Sequence, residues 1–261
     1  MELDLKGKAA IVTGGSRGIG RSIAAALAAE GADVLLVSRN AAVLDAAAGE
    51  IAKETGRKVV THAADLRAPE AAAKAVAASI AAFGRLDILV NNAGATRRGH
   101  FVDLTEEDWQ DGFALKFHGY VRMARNAWPH LKASQGVMIN IIGVGARMGN
   151  QEFTIGGSVN SALVNLTKAL ADLGAVEGVR VNAISPGRII TDRQNKNFDR
   201  LATLQGTDRD TVMQRMLSGL GIPRFGKPEE IAWLVAYIAS PRAAFMNGSI
   251  VDIDGGEIRA V

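Results

Sequence analysis

The sequence predicts a single α/β domain: a doubly wound, seven-stranded parallel sheet with helices on both faces. Short apolar runs rich in β-branched residues alternate with longer, alanine-rich stretches of helical character, the pattern of βαβ units. A strand near the N-terminus runs directly into a glycine turn and a helix. No linker interrupts residues 1–261, and a chain of this length is ordinary for one such domain.

Strands are expected to begin near Ala9, Val34, Lys58, Leu86, Val137, Arg180 and Ser249. Between them the spacing predicts helices over Gly18–Glu30, Ala41–Glu54, Pro69–Phe83, Glu106–Ala133, Thr154–Glu177 and Pro228–Ala239. The alanine runs at 41–48 and 71–82 resemble low complexity, but Leu44, Ile51, Val76, Ile80 and Phe83 recur at helical spacing and mark amphipathic helices. Residues 188–226 are the least patterned part of the chain. Following a strand end, they are expected to form a substrate lid over the carboxyl edge of the sheet or a surface excursion with one or two helices.

Composition excludes several classes. The net charge is +3 with basic residues dispersed, so nucleic acid is not an expected partner. No cysteine is present, which removes disulfides and thiolate chemistry. His62, His100, His118 and His130 lack metal-ligand spacing, so no metal site is expected. The N-terminal MELDLKGKAA lacks the layout of a signal peptide and no apolar run approaches a membrane span, so a cytoplasmic location without membrane association is expected.

The chemistry begins at Thr13-Gly14-Gly15-Ser16-Arg17-Gly18-Ile19-Gly20. Strand, glycine turn and helix N-terminus in that order turn backbone N–H groups and the positive end of a helix dipole onto a pyrophosphate, the signature of a Rossmann-type fold. The same stretch nearly spells the phosphate loop of nucleotide triphosphatases, with Arg21 where that loop needs lysine, which argues against an NTPase. After the second strand a fold specific for NAD would place an acidic residue; here Ser38-Arg39 follow, and with Arg17 they suit a 2′-phosphate. NADP(H) is therefore expected over NAD(H).

From the glycine loop onward the chain resembles the classical short-chain dehydrogenases/reductases over nearly its whole length. Asn91-Asn92-Ala93-Gly94 is similar to the family's sheet-bracing NNAG element, and Asp65-Leu66 to its adenine contact. Pro186-Gly187, with Ile189 and Thr191, resembles the motif that holds the nicotinamide carboxamide, and Asn247–Gly256 the C-terminal signature. The resemblance implies a small-molecule substrate and a homo-oligomer, dimer or tetramer, formed through the long helices that contain Trp109 and Leu170.

It also implies a catalytic tetrad of Asn, Ser, Tyr and Lys. Read in register from Trp109, from Val137–Ile141 and from Ala162–Ala171, those positions hold Lys116, Gly143, Gly156 and Asn160. Tyrosine normally protonates the alkoxide left by hydride transfer, and glycine cannot. Lysine and asparagine stand exchanged, so Lys116 is the expected replacement acid or base, its pKa lowered by desolvation, supplying from the opposite helix the positive charge that position 160 usually gives; Asn160 is the second candidate catalytic residue. Tyr120, Arg147, Gln151, Thr154 and Ser158 are further polar residues near this region; His100 and His118 have no sequence-based place in it. Three functions follow: an atypical oxidoreductase on a small carbonyl or alcohol; a cofactor-binding sensor or partner subunit without turnover; and a redox-neutral lyase or isomerase.

Overall fold

A computed structural model of the chain describes residues 2–259. Among them β1 (Ala9–Thr13), β2 (Asp33–Ser38), β3 (Val59–Ala63), β4 (Ile88–Asn91), β5 (Val137–Ile141), β6 (Arg180–Pro186) and β7 (Ile250–Ile253) form one sheet in the order β3-β2-β1-β4-β5-β6-β7. Every pairing is parallel. The order reverses between β1 and β4, and a crevice opens at the carboxyl ends of strands at such a switch point.

The apolar runs are strands buried on both faces: every residue of Ala9–Thr13 and of Val137–Ile141 is buried. Alternate side chains serve opposite layers. On one face α1 (Gly18–Ala29), α2 (Ala41–Thr55) and α9 (Pro228–Ala239) bring Ile23, Leu27, Leu44, Ile51, Ile231 and Val235 over Val12, Leu36 and Ile139. On the other, α3 (Ala71–Phe83) and a helix that follows β4 bring Ala75, Val76, Met123 and Leu131 over Ile11, Leu35, Leu89 and Met138. Each large aliphatic side chain so buried contributes about 1.5–3 kcal/mol. No helix among the described residues is long and apolar enough to cross a membrane.

Three expectations need correction. Strand β4 begins at Ile88, two residues after Leu86; before it, Asp87 bonds Ala9 and Val137 through its backbone, and its buried carboxylate accepts the Ala9 N–H at 2.9 Å and a salt bridge from Arg85. Helix α3 starts at Ala71 and not at Pro69, after a turn closed by Ala71 N–H on the Ala68 carbonyl. The helix expected over 106–133 is two: α4 (Glu106–Phe113), capped by Thr105, and α5 (Gly119–Ser134), joined by a π-helical turn at Ala114–His118. Gly112 lets α4 close on Ile155 of α6 (Thr154–Glu177), while α5 packs at Gly119 against Leu66 at ordinary van der Waals distance. The extra residue of the wide turn falls between these two dockings, a feature common at functional sites.

Residues 188–226 contain two helices, α7 (Asp192–Gln205) and α8 (Arg209–Leu220), packed around Phe198, Val212 and Phe225. The two ends of the excursion meet where Ile189 pairs with Gly226.

Candidate active site

A cleft of about 360 Å³ lies over the switch point. Its floor is the loop after β1. Gly14 adopts a left-handed φ of +68°, and a Cβ on Gly20 would collide with the Gly14 carbonyl and lie 2.5 Å from Asn92 Nδ2, so the turn and the start of α1 can lie this close only without side chains. Helix α1 has no side-chain cap and no acidic residue in its first turn. Its leading N–H groups are therefore available to an anion.

The loop after β4 is tied to this floor by Thr13. Its hydroxyl accepts the N–H groups of Asn92 (2.8 Å) and Ala93 (3.0 Å), and Asn92 Nδ2 donates to the Thr13 carbonyl at 2.9 Å. Asn91 turns inward to donate to Asn140 Oδ1 on β5. Sequence reasoning assigned Thr13 no role, although its place at the end of β1 was visible.

Gly14, Ser16, Arg17, Gly18, Ile19, Gly20, Ser38, Arg39, Leu66, Asn92, Ala93, Gly94, Pro186, Gly187 and Thr191 all line the cleft, as expected. Two expected residues do not. Asp65 is drawn away by Arg67, whose guanidinium holds the carboxyl below its usual range and also binds Asp111. Ile189 is buried against the α1–α9 layer, where its pairing with Gly226 anchors the 188–226 excursion. Arg21, at the position of the phosphate-loop lysine, points outward to Glu50 at 2.6 Å.

At the β2 end, Ser16 and Ser38 hydroxyls stand 3.1 Å apart, with Arg17 and Arg39 beside them, exposed and without an ion-pair partner among the described residues. Among the described residues that line this end of the cleft none carries a carboxylate. Arg193, in the first turn of α7, is a cleft cation that the sequence reading missed; it reaches toward the Gly94 carbonyl, and its position two residues past Thr191 was the available signal. Thr191 caps α7 by accepting the Gln194 N–H, which leaves its hydroxyl proton to donate.

Lys116 projects from the π-helical turn across Gly94. Its Nζ donates to Asn160 Oδ1 at 2.6 Å and to the Ile142 carbonyl at 2.9 Å, leaving one N–H without an acceptor among the described residues, and Lys116 lines the cleft. Burial, and secondarily the charge of Arg193, pull its pKa down to about 7. The two candidate catalytic residues thus touch. Gly143 lies beside Asn160 Nδ2, with 3.2 Å to the position of a Cβ. At Gly156 a Cβ would collide with the Phe153 ring, which also lies against Gly145, so a phenyl ring fills the hollow left by these glycines.

Tyr120 is not part of the site: fully buried, it donates to the Ile141 carbonyl, and burial pushes its pKa up. Arg147 pairs with Asp252 at 3.0 Å, Ser158 and Gln151 are exposed, and His118 stacks on Phe117.

A crevice lined by a glycine turn at the switch point of a parallel sheet, with Lys116 at its far end, has the architecture of a dinucleotide-binding protein. The chain belongs to the short-chain dehydrogenase/reductase family. A family model described as enoyl-(acyl carrier protein) reductase matches residues 14–257. An uncharacterized oxidoreductase of Mycobacterium tuberculosis is 36% identical over 254 residues, covering 97% of this chain and 92% of that protein. A 3-oxoacyl-(acyl-carrier-protein) reductase of Chlamydia trachomatis is 32% identical over 253 residues, covering 97% and 98%. Among solved structures, L-sorbose reductase from Gluconobacter frateurii, complexed with NADPH and L-sorbose, superimposes with a TM-score of 0.96 at 32% identity over 100% of both chains.

Proposed function

We propose that the chain is an NADP(H)-dependent oxidoreductase acting on a small carbonyl or alcohol, with Lys116 in the acid–base role that the family gives to tyrosine. The observation that carries this reading is Lys116 Nζ, held by Asn160 and Ile142 in the lining of the cleft with one donor left over. When bound, the nicotinamide supplies or accepts the hydride. The glycine loop and the open start of α1 hold the phosphates, and Pro186, Gly187 and Thr191 hold the carboxamide. Asn160 fixes the Nζ direction, so that in reduction Lys116 gives its proton to the oxygen left negative by hydride arrival. On this reading Lys116, Gly143, Gly156 and Asn160 replace the family's tetrad, and 188–226 is the lid. The test is titration with NADPH and NADH, then single-turnover loss of nicotinamide absorbance against a carbonyl panel. Tight NADPH binding with oxidation by one or more carbonyls supports the reading; binding without turnover anywhere overturns it.

The preference for NADP(H) rests on Ser16, Arg17, Ser38 and Arg39. Replacing Arg39 with alanine is expected to weaken NADPH binding about tenfold, by removing one charge-assisted contact, and to leave NADH binding nearly unchanged. Equal effects on both nucleotides would remove Arg39 from a 2′-phosphate site.

A second reading, binding without turnover, is favoured by Phe153, whose ring occupies the hollow at Gly156. The single-turnover experiment separates the two. A redox-neutral reaction would show as substrate conversion without net change in nicotinamide absorbance.

The chain is further proposed to be a homo-oligomer. Val121, Ala124, Trp128, Leu166, Leu170 and Leu173 line an apolar groove on α5 and α6, the faces the family resemblance points to. Trp109 is not part of it: it packs within the chain edge-on to Phe101. Light scattering is expected to show a dimer or tetramer for the wild type and a smaller species for Leu173→Glu, since Leu173 is exposed at the rim of the groove.

A further inference from the structure

The dinucleotide half of the cleft lies over β1 and β2; the loops after β4, β5 and β6 form its other end. Each of these three loops carries one residue of a second cluster. Arg98 follows β4, Phe153 follows β5 and Arg188 follows β6. The first two loops are joined by Gly99 N–H donating to the Glu152 carbonyl at 3.2 Å. The Arg98 guanidinium lies over the Phe153 ring, 4.0 Å from its centroid. Phe153 in turn fills the hollow of Gly145 and Gly156, and Gly145 borders Asn160, the partner of Lys116. Contact is therefore continuous from Arg98 to the proposed acid.

Both arginines have donors that the protein does not use. Arg98 makes no hydrogen bond or ion pair among the described residues, although its flank is covered by Phe153. Arg188 gives only its Nε, to Glu257 Oε1 at 3.1 Å; its terminal amino groups have no acceptor among the described residues. Glu257 is 5% exposed and fixes the direction of Arg188. Burial and the nearby Arg188 charge hold the Arg98 pKa below its ordinary value, partly offset by Glu152 and Glu257. Guanidinium donors left unused on the loops after β4 and β6, at the same end of the sheet, are matched by an oxyanion, and a carboxylate suits the fork in a bidentate way.

We infer that Arg98, with Arg188 of the loop after β6, binds a carboxylate on the substrate, so that the substrate class is an oxo acid or hydroxy acid. This rests on the oxidoreductase reading above. In reduction, hydride adds to the carbonyl carbon and the proton of Lys116 to its oxygen, while the carboxylate stays ion-paired and unchanged. The neutral sugar of the L-sorbose reductase complex would leave both forks empty.

The test uses malonate as the carboxylate probe and malonamide as its neutral counterpart, titrated into NADPH-saturated protein by calorimetry. Saturation with NADPH blocks the phosphate sites of the cofactor cleft. Malonate is expected to bind saturably, malonamide not at all, and Arg98→Gln to weaken malonate at least about tenfold, with Arg98→Lys recovering part of the loss. NADPH affinity should be the same in all variants, which separates this site from the cofactor site. Malonate binding equally to wild type and Arg98→Gln, or failing to bind wild type, overturns the inference. So does preferential binding of inorganic phosphate, which would assign the pair to a phosphorylated substrate. If NADPH itself does not bind, the oxidoreductase reading fails, and malonate titrated into the cofactor-free protein with the same variants still decides the Arg98 site.

Discussion

Replacing Lys116 with methionine is expected to slow single-turnover carbonyl reduction about 10²- to 10⁴-fold, the usual contribution of a positioned acid, with NADPH affinity close to wild type. The pH dependence distinguishes an acid from a merely structural cation. With its pKa near 7, the wild-type lysine loses its proton as the pH rises through that value. Reduction, which needs the ammonium, should fall above about pH 7, and alcohol oxidation, which needs the free amine, should rise; both inflections should vanish in Lys116→Met. Stability provides a readout independent of substrate. Unfolded lysine titrates near 10.4, so between about pH 7 and 10 the unfolded chain binds the extra proton and folding stability should rise with pH. Below pH 7 both states carry the charge and the burial cost is complete. Lys116→Met should flatten that rise; a wild-type stability curve already flat from pH 7 to 9 would show that the ammonium is not desolvated and would remove the basis for its acid role.

Gly20→Ala should abolish NADPH binding over the range that saturates wild type. The new methyl group would meet the Gly14 carbonyl and Asn92 Nδ2, so the loop after β1 must move away from the loop after β4. Overpacking of this kind costs about 1–3 kcal/mol, or a fall of roughly 2–12 °C in Tm for a domain of this size. The same substitution at Gly49 should act in the opposite sense. Gly49 lies in the interior of α2, exposed, with open space around it, so alanine should add about 0.5–1 kcal/mol through helix propensity. Thermal unfolding of the pair checks both signs. If Gly20→Ala binds NADPH as wild type does, close approach at this turn is not what holds the phosphates.

Much of the site is legible in the chain because it depends on backbone stereochemistry. Gly14, Gly18 and Gly20 are spaced to make one turn and one helix start, and Ser38-Arg39 follow a strand whose end must lie beside that turn in a parallel sheet. Lys116 is visible as a candidate once Trp109 sets its register, but its geometry is not. A continuous helix over 106–133 would give the lysine another direction, and only the π-helical turn aims it at Asn160. Asp65 shows the converse: its position after β3 is right, yet Arg67, two residues away, captures the carboxylate and removes it from the cleft.

The sequence alone determined the alternation of strands and helices, the parallel sheet and the phosphate-binding turn, since each arises from periodicity or local stereochemistry within a few residues. It also places glycine at positions 143 and 156. Only the tertiary structure decided what fills the space those glycines leave. Phe153 enters it and Arg98 stacks on Phe153, while Lys116 meets Asn160 across two helices. These contacts join side chains from separate elements, and they depend on how helices and loops dock on the sheet, which no local pattern in the chain specifies.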